Sequence, residues 1–430
     1  MIENEAPVIA DSLWSATANP IPPCPPLESD DSAEVAVIGA GFTGLSAALH
    51  LAERDIETVV LEAETPGWGA SGRNGGQVNP GLIEDPDQIE ARFGPEMGRR
   101  MILLSGAAGD LVFSLIERHG ISCDAVQSGW IRAAHNATAL KTLESRVEQW
   151  QRRGGPLRLL DRDEVRQMIG TDVYCGGAID PRGGNLHPLN YALGLAGAAI
   201  AAGVRIHGRS RALSVKQEAG RQVIETAHGR LRAGKLLLCT NGYTDGLVPP
   251  LAQTIVPVRS IQVATEPISD NISASILPGR QAPSDTRRLL HYFRMDAAGR
   301  FIMGGRGAYG DDGTRRAQER LRKASRDMFP QLADAQWQHA WGGFVAATAD
   351  HYPHLNLMGD GIVAGLGYNG RGVAMATAMG KVMADWASGT AAADLDFPMT
   401  SPKPIPFHGL RKLGVQATIA RYRTLDWLGL

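Results

Sequence analysis

The sequence has few cysteines, little net charge and no hydrophobic segment long enough to span a membrane. Its 43 basic and 45 acidic residues give a net charge of -2, which excludes the basic footprint of a nucleic-acid-binding protein. The amino-terminal stretch MIENEAPVIADS has neither the basic nor the apolar region of a signal peptide. We therefore expect a cytoplasmic chain with reduced thiols and a small-molecule ligand. The four cysteines are not spaced like the ligands of a zinc site. They are Cys24, Cys123, Cys175 and Cys239.

The longest apolar stretch, YALGLAGAAIAAGV at residues 191–204, is shorter than the roughly 18 residues that a membrane span requires. Arg205 follows it directly. The stretch is typical of a buried helix, and we expect no membrane span.

Four apolar runs predict a parallel sheet, because strands buried on both faces read as uninterrupted hydrophobic stretches. A chain of 430 residues also exceeds the ~250–300 residues of a single core, so we expect two domains, both discontinuous. The first domain takes residues 31–80, 186–258 and 340–392, and the second takes 81–185 and 259–339. A proline-rich arm (1–30) and a tail (393–430) flank them. The runs lie at 34–40, 58–63, 235–241 and 361–367.

A dinucleotide-binding turn is predicted in VAVIGAGFTGLSAALHLAE, where Gly39, Gly41 and Gly44 form GxGxxG between a strand and a helix. The helix amino terminus offers N–H groups to a pyrophosphate, and Phe42 and Thr43 lie in this turn. The next strand ends in Glu62, at the distance expected for an acid that binds a ribose. The same glycine spacing in GRGAYG and GLGYNG lacks a following strand that ends in an acid. One dinucleotide is therefore expected.

Two further glycine-rich stretches predict close approach of the main chain to a ligand. GWGASGRNGGQ, residues 67–77, holds five glycines and begins soon after Glu62, at the carboxyl edge of the predicted sheet. On composition alone, the alternative is that this stretch is a flexible glycine-rich loop that binds no ligand. GYNGRGVAMATAMGKVMADWASG, residues 367–389, predicts a turn and a helix whose positive end stabilises negative charge on a reduced flavin ring. This feature favours FAD over NAD.

With GAGFTGL, GASGRNGGQ, HPLNYA, CTNGYT, ATEP and GYNGRGV in this order, the chain resembles the FAD-dependent amine and amino-acid oxidoreductases of the D-amino-acid oxidase and sarcosine oxidase superfamily. Within it, the γ-glutamylputrescine oxidases and L-pipecolate oxidases are the most similar groups. The resemblance covers about residues 10–390. It implies an α/β Rossmann-like FAD-binding domain of the glutathione-reductase type, and an α+β substrate domain with an antiparallel sheet.

The resemblance also implies oxidation of a C–N bond in a small amine or amino acid, such as a γ-glutamyl amine, an N-alkyl or a cyclic imino acid. Hydride passes to flavin N5, the imine is hydrolysed, and oxygen or another acceptor reoxidises the flavin. The residues implied in FAD binding are Gly39, Gly41, Phe42, Thr43, Gly44, Glu62, Ala63, Ser71, Gly72, Arg73, Asn74, Gly75, Gly76, Gln77, Thr240, Asn241, Gly242, Gly367, Tyr368, Asn369, Gly370, Arg371, Gly372 and Val373.

The chain departs from its relatives at two places. Arg371 stands where the γ-glutamylputrescine oxidases usually have histidine, and a guanidinium there fits a substrate carboxylate. Sarcosine oxidases attach flavin covalently through a cysteine late in the chain. They activate oxygen with a lysine that lies in a strand beside the flavin ring. Here the last cysteine is Cys239 and the strand RFIMGGR has no lysine, which predicts noncovalent FAD and leaves the acceptor open.

The candidate catalytic residues are Arg371, Trp341 and Tyr292, the last two predicted to wall the substrate pocket although core packing is an alternative for both. His351 and His354 lack a third ligand, so no metal is expected. Two functional alternatives stay open. One is a dehydrogenase that passes electrons to a quinone or a protein carrier, and the other is a non-catalytic FAD-binding subunit.

Overall fold

The structure is a computed structural model that describes residues 11–307 and 311–428, and its strands form two large sheets and a small one. The strands in these ranges are β1 (Asp31–Ile38), β2 (Thr58–Leu61), β3 (Gln77–Val78), β4 (Trp130–Ala134), β5 (Arg158–Leu160), β6 (Gly176–Asp180), β7 (Gly184–Asn185), β8 (Arg205–His207), β9 (Ser214–Glu218), β10 (Arg221–Glu225), β11 (Arg230–Leu238), β12 (Val256–Thr265), β13 (Ala282–Asp285), β14 (Tyr292–Met295), β15 (Phe301–Arg306), β16 (Trp337–Ala347), β17 (His354–Gly359), β18 (Ile362–Leu366) and β19 (Met399–Thr400).

Helices cover the two large sheets. Those within the described ranges are α1 (Leu13–Ala16), α2 (Phe42–Ala52), α3 (Pro86–Phe93), α4 (Pro95–Arg118), α5 (Ala137–Gln151), α6 (Arg162–Ile169), α7 (Pro188–Ala201), α8 (Pro249–Ala252), α9 (Asp270–Ser273), α10 (Asp311–Met328), α11 (Gly372–Ala387) and α12 (Arg411–Leu428).

The first sheet has a parallel core in the order β18-β11-β1-β2-β8. Ile38 lies opposite both Leu61 and Leu238, and Leu238 lies opposite Ala364, so four strands end together at one edge. Strand β17 joins antiparallel to β18, and β10 with β9 extends from β11. The four apolar runs of the sequence therefore form one sheet, as predicted.

The second sheet follows the order β16-β12-β15-β14-β13-β4-β6-β5, and every neighbouring pair is antiparallel except β13 with β4. Helix α10 packs on β12 and β15, where Ala317 and Leu321 are buried among the sheet's apolar side chains. The predicted fold class, a Rossmann-like domain with an α+β domain built from insertions, is confirmed.

Close helix packing holds the first sheet in place. A Cβ atom added at Gly44 would lie 2.0 Å from the carbonyl oxygen of Gly39, so α2 approaches the β1 turn as only glycine permits. On α11, a Cβ at Gly380 would lie 2.5 Å from the carbonyl of Thr43. The alanine-rich helices α2, α7 and α11 thus pack closely in one core with α4.

The predicted domain boundaries do not all coincide with the points at which the chain passes from one large sheet to the other. Residues 340–347, assigned by sequence to the FAD-binding domain, lie in β16 of the second sheet. In the tail, β19 pairs with β17 of the first sheet. The arm contributes α1, whose Leu13 and Trp14 are buried. Residues 1–10 of the arm and 429–430 of the tail lie outside the described residues, as does Gly310 of the GRGAYG stretch.

Across residues 11–307 and 311–428, no helix is both long enough and apolar enough to cross the bilayer. The apolar stretch 191–204 forms most of α7, which is largely buried. The same part of the chain holds no cluster of three or more residues suited to a metal. His351 lies 3.1 Å from Glu84 and His354 lies 3.0 Å from Asp350, each with a single acidic partner.

Candidate active site

A cavity of about 550 Å³ lies at the carboxyl edge of the parallel strands and continues along the face of the second sheet. Its wall takes main chain from the turns after β1, β2, β11 and β18, and side chains from β4, β12 and β14. This volume falls in the range of small-molecule and cofactor sites. Ligands of open α/β sheets bind at this edge.

The turn after β1 is built for close main-chain approach. Gly39 has φ of +105°, and a Cβ there would lie 2.9 Å from the carbonyl oxygen of Cys239. Gly41 is the N-cap of α2 and provides no side-chain cap, and a Cβ there would lie 2.9 Å from Ser71 Oγ. The amide of Phe42 donates to that same hydroxyl at 3.0 Å. The turn and the glycine loop are therefore joined through Ser71.

Glu62 faces the cavity at the end of β2 with both carboxylate oxygens engaged by the backbone. Its Oε2 accepts from the amide of Ala40 at 2.7 Å, and its Oε1 accepts from the amide of Glu64 at 3.0 Å. Burial raises the pKa of Glu62. Each oxygen keeps a further lone pair for a ligand hydroxyl.

The glycine loop, residues 67–77, is held by hydrogen bonds to two tryptophans outside the cavity wall and by the side chain of Gln77. The Trp14 indole donates to the carbonyl of Asn74 at 2.8 Å, and the Trp341 indole donates to that of Arg73 at 3.0 Å. The Gln77 amide donates to the carbonyls of Pro283 and Phe293, at 2.7 and 3.1 Å. These contacts connect the loop to the arm and to the second sheet.

The turn after β18 leaves two glycines facing open space. Gly370 has φ of +86°, and a Cβ at Gly370 or Gly372 would meet no atom of the described chain within 4 Å apart from the adjoining residues and the backbone of its own helix. Both glycines line the cavity. Asn241, after β11, accepts from the amide of Gly367 at 2.9 Å, and the hydroxyls of Tyr368 and Thr43 lie 2.7 Å apart. The three distant turns thus meet around one cavity.

Most residues that the sequence predicts for FAD binding lie in this wall, and five lie behind it. Those behind it are Gly44, Gly72, Gly76, Gly242 and Gly367. Those in the wall are Gly39, Gly41, Phe42, Thr43, Glu62, Ala63, Ser71, Arg73, Asn74, Gly75, Gln77, Thr240, Asn241, Tyr368, Asn369, Gly370, Arg371, Gly372 and Val373.

The three candidate catalytic residues occupy different positions. Arg371 lines the cavity, is buried, and donates to the carbonyl of Pro80 at 2.8 Å. Tyr292 also lines it, and its hydroxyl accepts from the Gln262 amide at 3.0 Å. Burial raises the pKa of Tyr292, which keeps the hydroxyl protonated. Trp341 lies behind the glycine loop, where its indole supports Arg73, and does not line the cavity.

Sequence reasoning missed the contribution of β4. Trp130 and Arg132 both line the cavity, and their spacing of two residues places them on the same face of the strand. The alternation in SGWIRAA was the available signal. On β12, Ser260 and Gln262 repeat this spacing and also line the cavity.

Comparisons with known proteins agree with this architecture. A family model described as DAO, FAD dependent oxidoreductase, matches residues 34–386. The chain is 34% identical over 429 residues to "Gamma-glutamylputrescine oxidoreductase" of Escherichia coli (strain K12), with 97% of this chain and 99% of that protein covered.

Two solved structures share the fold at low sequence identity. Glycine oxidase from Geobacillus kaustophilus has a TM-score of 0.70 at 20% identity, covering 84% of this chain and 96% of that one. L-proline dehydrogenase from P. horikoshii has a TM-score of 0.68 at 20% identity, covering 83% and 93%. The resemblance drawn from the motifs is confirmed, and the chain is an enzyme that acts on the C–N bond of amines or amino acids. It belongs to the DAO family of FAD-dependent oxidoreductases.

Proposed function

We propose that the chain binds FAD without a covalent link and oxidises a C–N bond in a small amine or amino acid that is anchored by Arg371. The substrates we favour are γ-glutamyl amines, N-alkyl amino acids and cyclic imino acids, with oxygen reduced to hydrogen peroxide. One observation carries the proposal. A single cavity runs from Gly41 and Glu62 to Tyr292 on the second sheet, so a long cofactor and a small substrate fit end to end.

The residues in this cavity fit FAD. The bare amino terminus of α2 suits a pyrophosphate, and the Glu62 carboxylate beside it suits a ribose hydroxyl pair. Gly370 and Gly372 leave room for a flat ring against the start of α11. When bound, FAD supplies the hydride acceptor for the carbon next to the substrate nitrogen.

The chain's own groups orient the substrate and stabilise charge. Arg371 offers a guanidinium to a substrate carboxylate, and the ring of Tyr292 forms another part of the cavity wall. The amino terminus of α11 directs its partial positive charge at the cavity, where it favours negative charge on the ring. Walls of buried side chains exclude water and so favour an amine that enters neutral.

The cysteine positions support noncovalent binding. Of the four cysteines, all within the described ranges, Cys239 alone lines the cavity, beside Gly39 at the dinucleotide turn. Burial raises the pKa of this thiol, which keeps it a poor nucleophile. Acid precipitation of the holoenzyme should leave all of the flavin in the supernatant. Yellow colour retained in the washed pellet would contradict noncovalent binding.

A quinone or a protein carrier is a second candidate for the electron acceptor, because one structural relative is named a dehydrogenase and another an oxidase. A peroxide assay and a dye-reduction assay on the same substrate separate them. Stoichiometric peroxide in air supports oxygen as the acceptor. Dye reduction without peroxide supports a quinone or a protein carrier.

Anaerobic reduction of bound flavin tests the central proposal. Purified holoenzyme is mixed without oxygen with γ-glutamylputrescine, sarcosine, pipecolate, proline and glycine, and flavin absorbance is followed. We expect bleaching by at least one of them. Flavin that stays oxidised with every compound would overturn the proposed substrate class.

A further inference from the structure

Arg294 is a fully buried arginine that contacts the glycine loop without lining the cavity. It follows Tyr292 by two residues on β14, so both side chains leave the same face of the strand. Tyr292 lines the cavity, and a Cβ at Gly75 would lie 2.6 Å from its ring. The Nη1 atom of Arg294 donates to the carbonyls of Gly75 and Gly76, at 3.5 and 3.4 Å, and to that of Leu186. Since Gly75 lines the cavity, this guanidinium contacts the cavity wall without entering the cavity.

The positive charge of Arg294 has no matching carboxylate. No acidic side chain of residues 11–307 and 311–428 lies within ion-pair distance of this guanidinium. The acids whose charge acts on it are Asp296, which pairs with Arg300, and the exposed Asp124. The Nε atom of Arg294 is inaccessible to solvent and has no acceptor in the described part of the chain. Main-chain carbonyls therefore provide its hydrogen bonds, and no anion compensates its charge.

Three neighbouring side chains are neutral. The guanidinium carbon of Arg294 lies 5.4 Å from the centre of the Trp14 ring. Burial and the charge of Arg294 lower the pKa of His187 to about 3, so this imidazole is neutral at pH 7. Burial raises the pKa of the Cys123 thiol to about 12, which keeps it protonated. A buried cation in such surroundings is stabilised by any negative charge that forms nearby.

Hydride transfer in the proposed reaction creates such a charge. The substrate carbon loses a hydride and leaves an iminium cation, while the flavin ring gains two electrons and one proton, and with them one negative charge. We propose that Arg294 is a positioning residue that stabilises this negative charge across the glycine loop and so raises the reduction potential of the bound flavin. The inference rests on the proposed function, because it requires FAD in this cavity. It adds a second source of positive potential to the amino terminus of α11.

A purely structural role is the alternative, because Arg294 also joins the glycine loop to Leu186, between β7 and α7. Two substitutions separate the roles. Arg294→Lys keeps the charge and loses the planar fork, whereas Arg294→Gln keeps a donor and loses the charge. The probe is sulfite, which adds to N5 of oxidised flavin and bleaches its absorbance without any amine. The sulfur lone pair forms the S–N bond, and the displaced electron pair leaves the ring negatively charged.

Sulfite titration of the FAD-loaded enzyme is the first measurement, and anaerobic reduction alongside a dye of known potential is the second. We expect Arg294→Gln to raise the dissociation constant for sulfite about tenfold and to lower the two-electron potential by the equivalent ~30 mV, because a charge near the ring is removed. Arg294→Lys should stay within about threefold of the wild type. Arg152→Gln removes an exposed charge that pairs with Asp87, and as the control it should match the wild type.

A second pair of variants neutralises the charge without removing Arg294. The charge of Arg294 acts on the neighbouring Cys123 thiol, so a carboxylate at this position would oppose it directly. Cys123→Asp should weaken sulfite binding as Arg294→Gln does. Cys123→Ser is its neutral counterpart and should remain within about threefold of the wild type. This pair decides the question if Arg294→Gln loses its FAD.

Wild-type sulfite binding and potential in Arg294→Gln and in Cys123→Asp would overturn the inference. Equal losses of sulfite binding in Arg294→Lys and Arg294→Gln would assign a structural role to the side chain, and would overturn it as well. Failure of the proposed function would look different, because the sulfite shifts would appear although no amine bleached the flavin.

Discussion

The indole nitrogen of Trp341 donates a hydrogen bond of 3.0 Å to the carbonyl of Arg73, which joins β16 of the second sheet to the glycine loop of the first. Trp14 of the arm packs against the Trp341 ring, with centres 5.6 Å apart, and donates to the next carbonyl along the loop. Consecutive carbonyls of the loop are thus fixed from behind. The opposite side of the loop is left to line the cavity.

Replacing Trp341 with phenylalanine should weaken FAD binding through this loop. The substitution removes one buried hydrogen bond, and we expect a loss of about 1 kcal/mol, or roughly a fivefold higher dissociation constant for FAD. Titration of the apoenzyme with FAD measures it. Trp337→Phe is the control, because that indole lies on the same strand without an acceptor among the described residues. Equal FAD affinity in both variants would show that the Arg73 contact has no role.

A methyl group at Gly44 should abolish the dinucleotide turn. Its Cβ would lie 2.0 Å from the carbonyl oxygen of Gly39 and 3.0 Å from Val37 Cγ1, so α2 must move away from β1. We expect Gly44→Ala to lose most of its bound FAD and to unfold at a markedly lower temperature. Gly197→Ala, inside α7 with no described atom beyond its own helix backbone within 4 Å of the added carbon, should be neutral or slightly stabilising. Normal flavin content in Gly44→Ala would refute this account.

The turns around the cavity were predictable from sequence because a turn whose main chain approaches a ligand closely requires glycine at particular positions, and that spacing can be seen in the sequence. Gly39, Gly41 and Gly370 occupy their expected places since each lies directly after a strand of one parallel sheet. Arg132 was not predicted, because its position depends on β4 pairing with the distant β13.

The hydrogen bond from Trp341 to the glycine loop could not be predicted from the sequence either. A buried aromatic residue on a strand predicts packing or a pocket wall, and only the tertiary arrangement shows which carbonyl its N–H reaches. The placement of residues 340–347 in the second sheet has the same kind of cause. Strand β16 pairs with β12 along its full length, a contact between segments about 80 residues apart.

Glu62→Gln should weaken FAD binding more than the same substitution at the neighbouring Glu64. The carboxylate accepts from the amides of Ala40 and Glu64, and an amide side chain must turn its NH₂ group toward one of these donors. We expect a loss of about 1–3 kcal/mol, or roughly five- to hundredfold in FAD affinity, because a buried donor loses its acceptor. Calorimetric titration of the apoenzyme measures it. Glu64→Gln is the control, since this side chain lies outside the cavity wall, and an equal loss there would count against Glu62.

His187 should make the enzyme sensitive to acid. This N-cap of α7 accepts from the amide of Asn190 through Nδ1 at 3.1 Å, and its Nε2 lies 3.0 Å from the hydroxyl of Thr17. Burial and the positive charge of Arg294 lower the pKa of His187 to about 3. The unfolded chain, with a histidine pKa near 6.5, therefore binds a proton that the folded chain rejects. Stability is fully present above pH 6.5 and falls as the pH drops toward 3.

His187→Asn removes the titrating group and keeps a capping oxygen, because asparagine is a favoured N-cap residue. Between pH 6.5 and 4.5 the wild type should lose about 2 kcal/mol more stability than this variant, at up to about 1.4 kcal/mol per pH unit. Urea unfolding followed at several pH values measures the difference. Above pH 7 the two proteins should differ by a constant amount, since neither side chain titrates there. Parallel stability curves across the whole acid range would mean that His187 accepts a proton in the folded enzyme, and would contradict its burial beside Arg294.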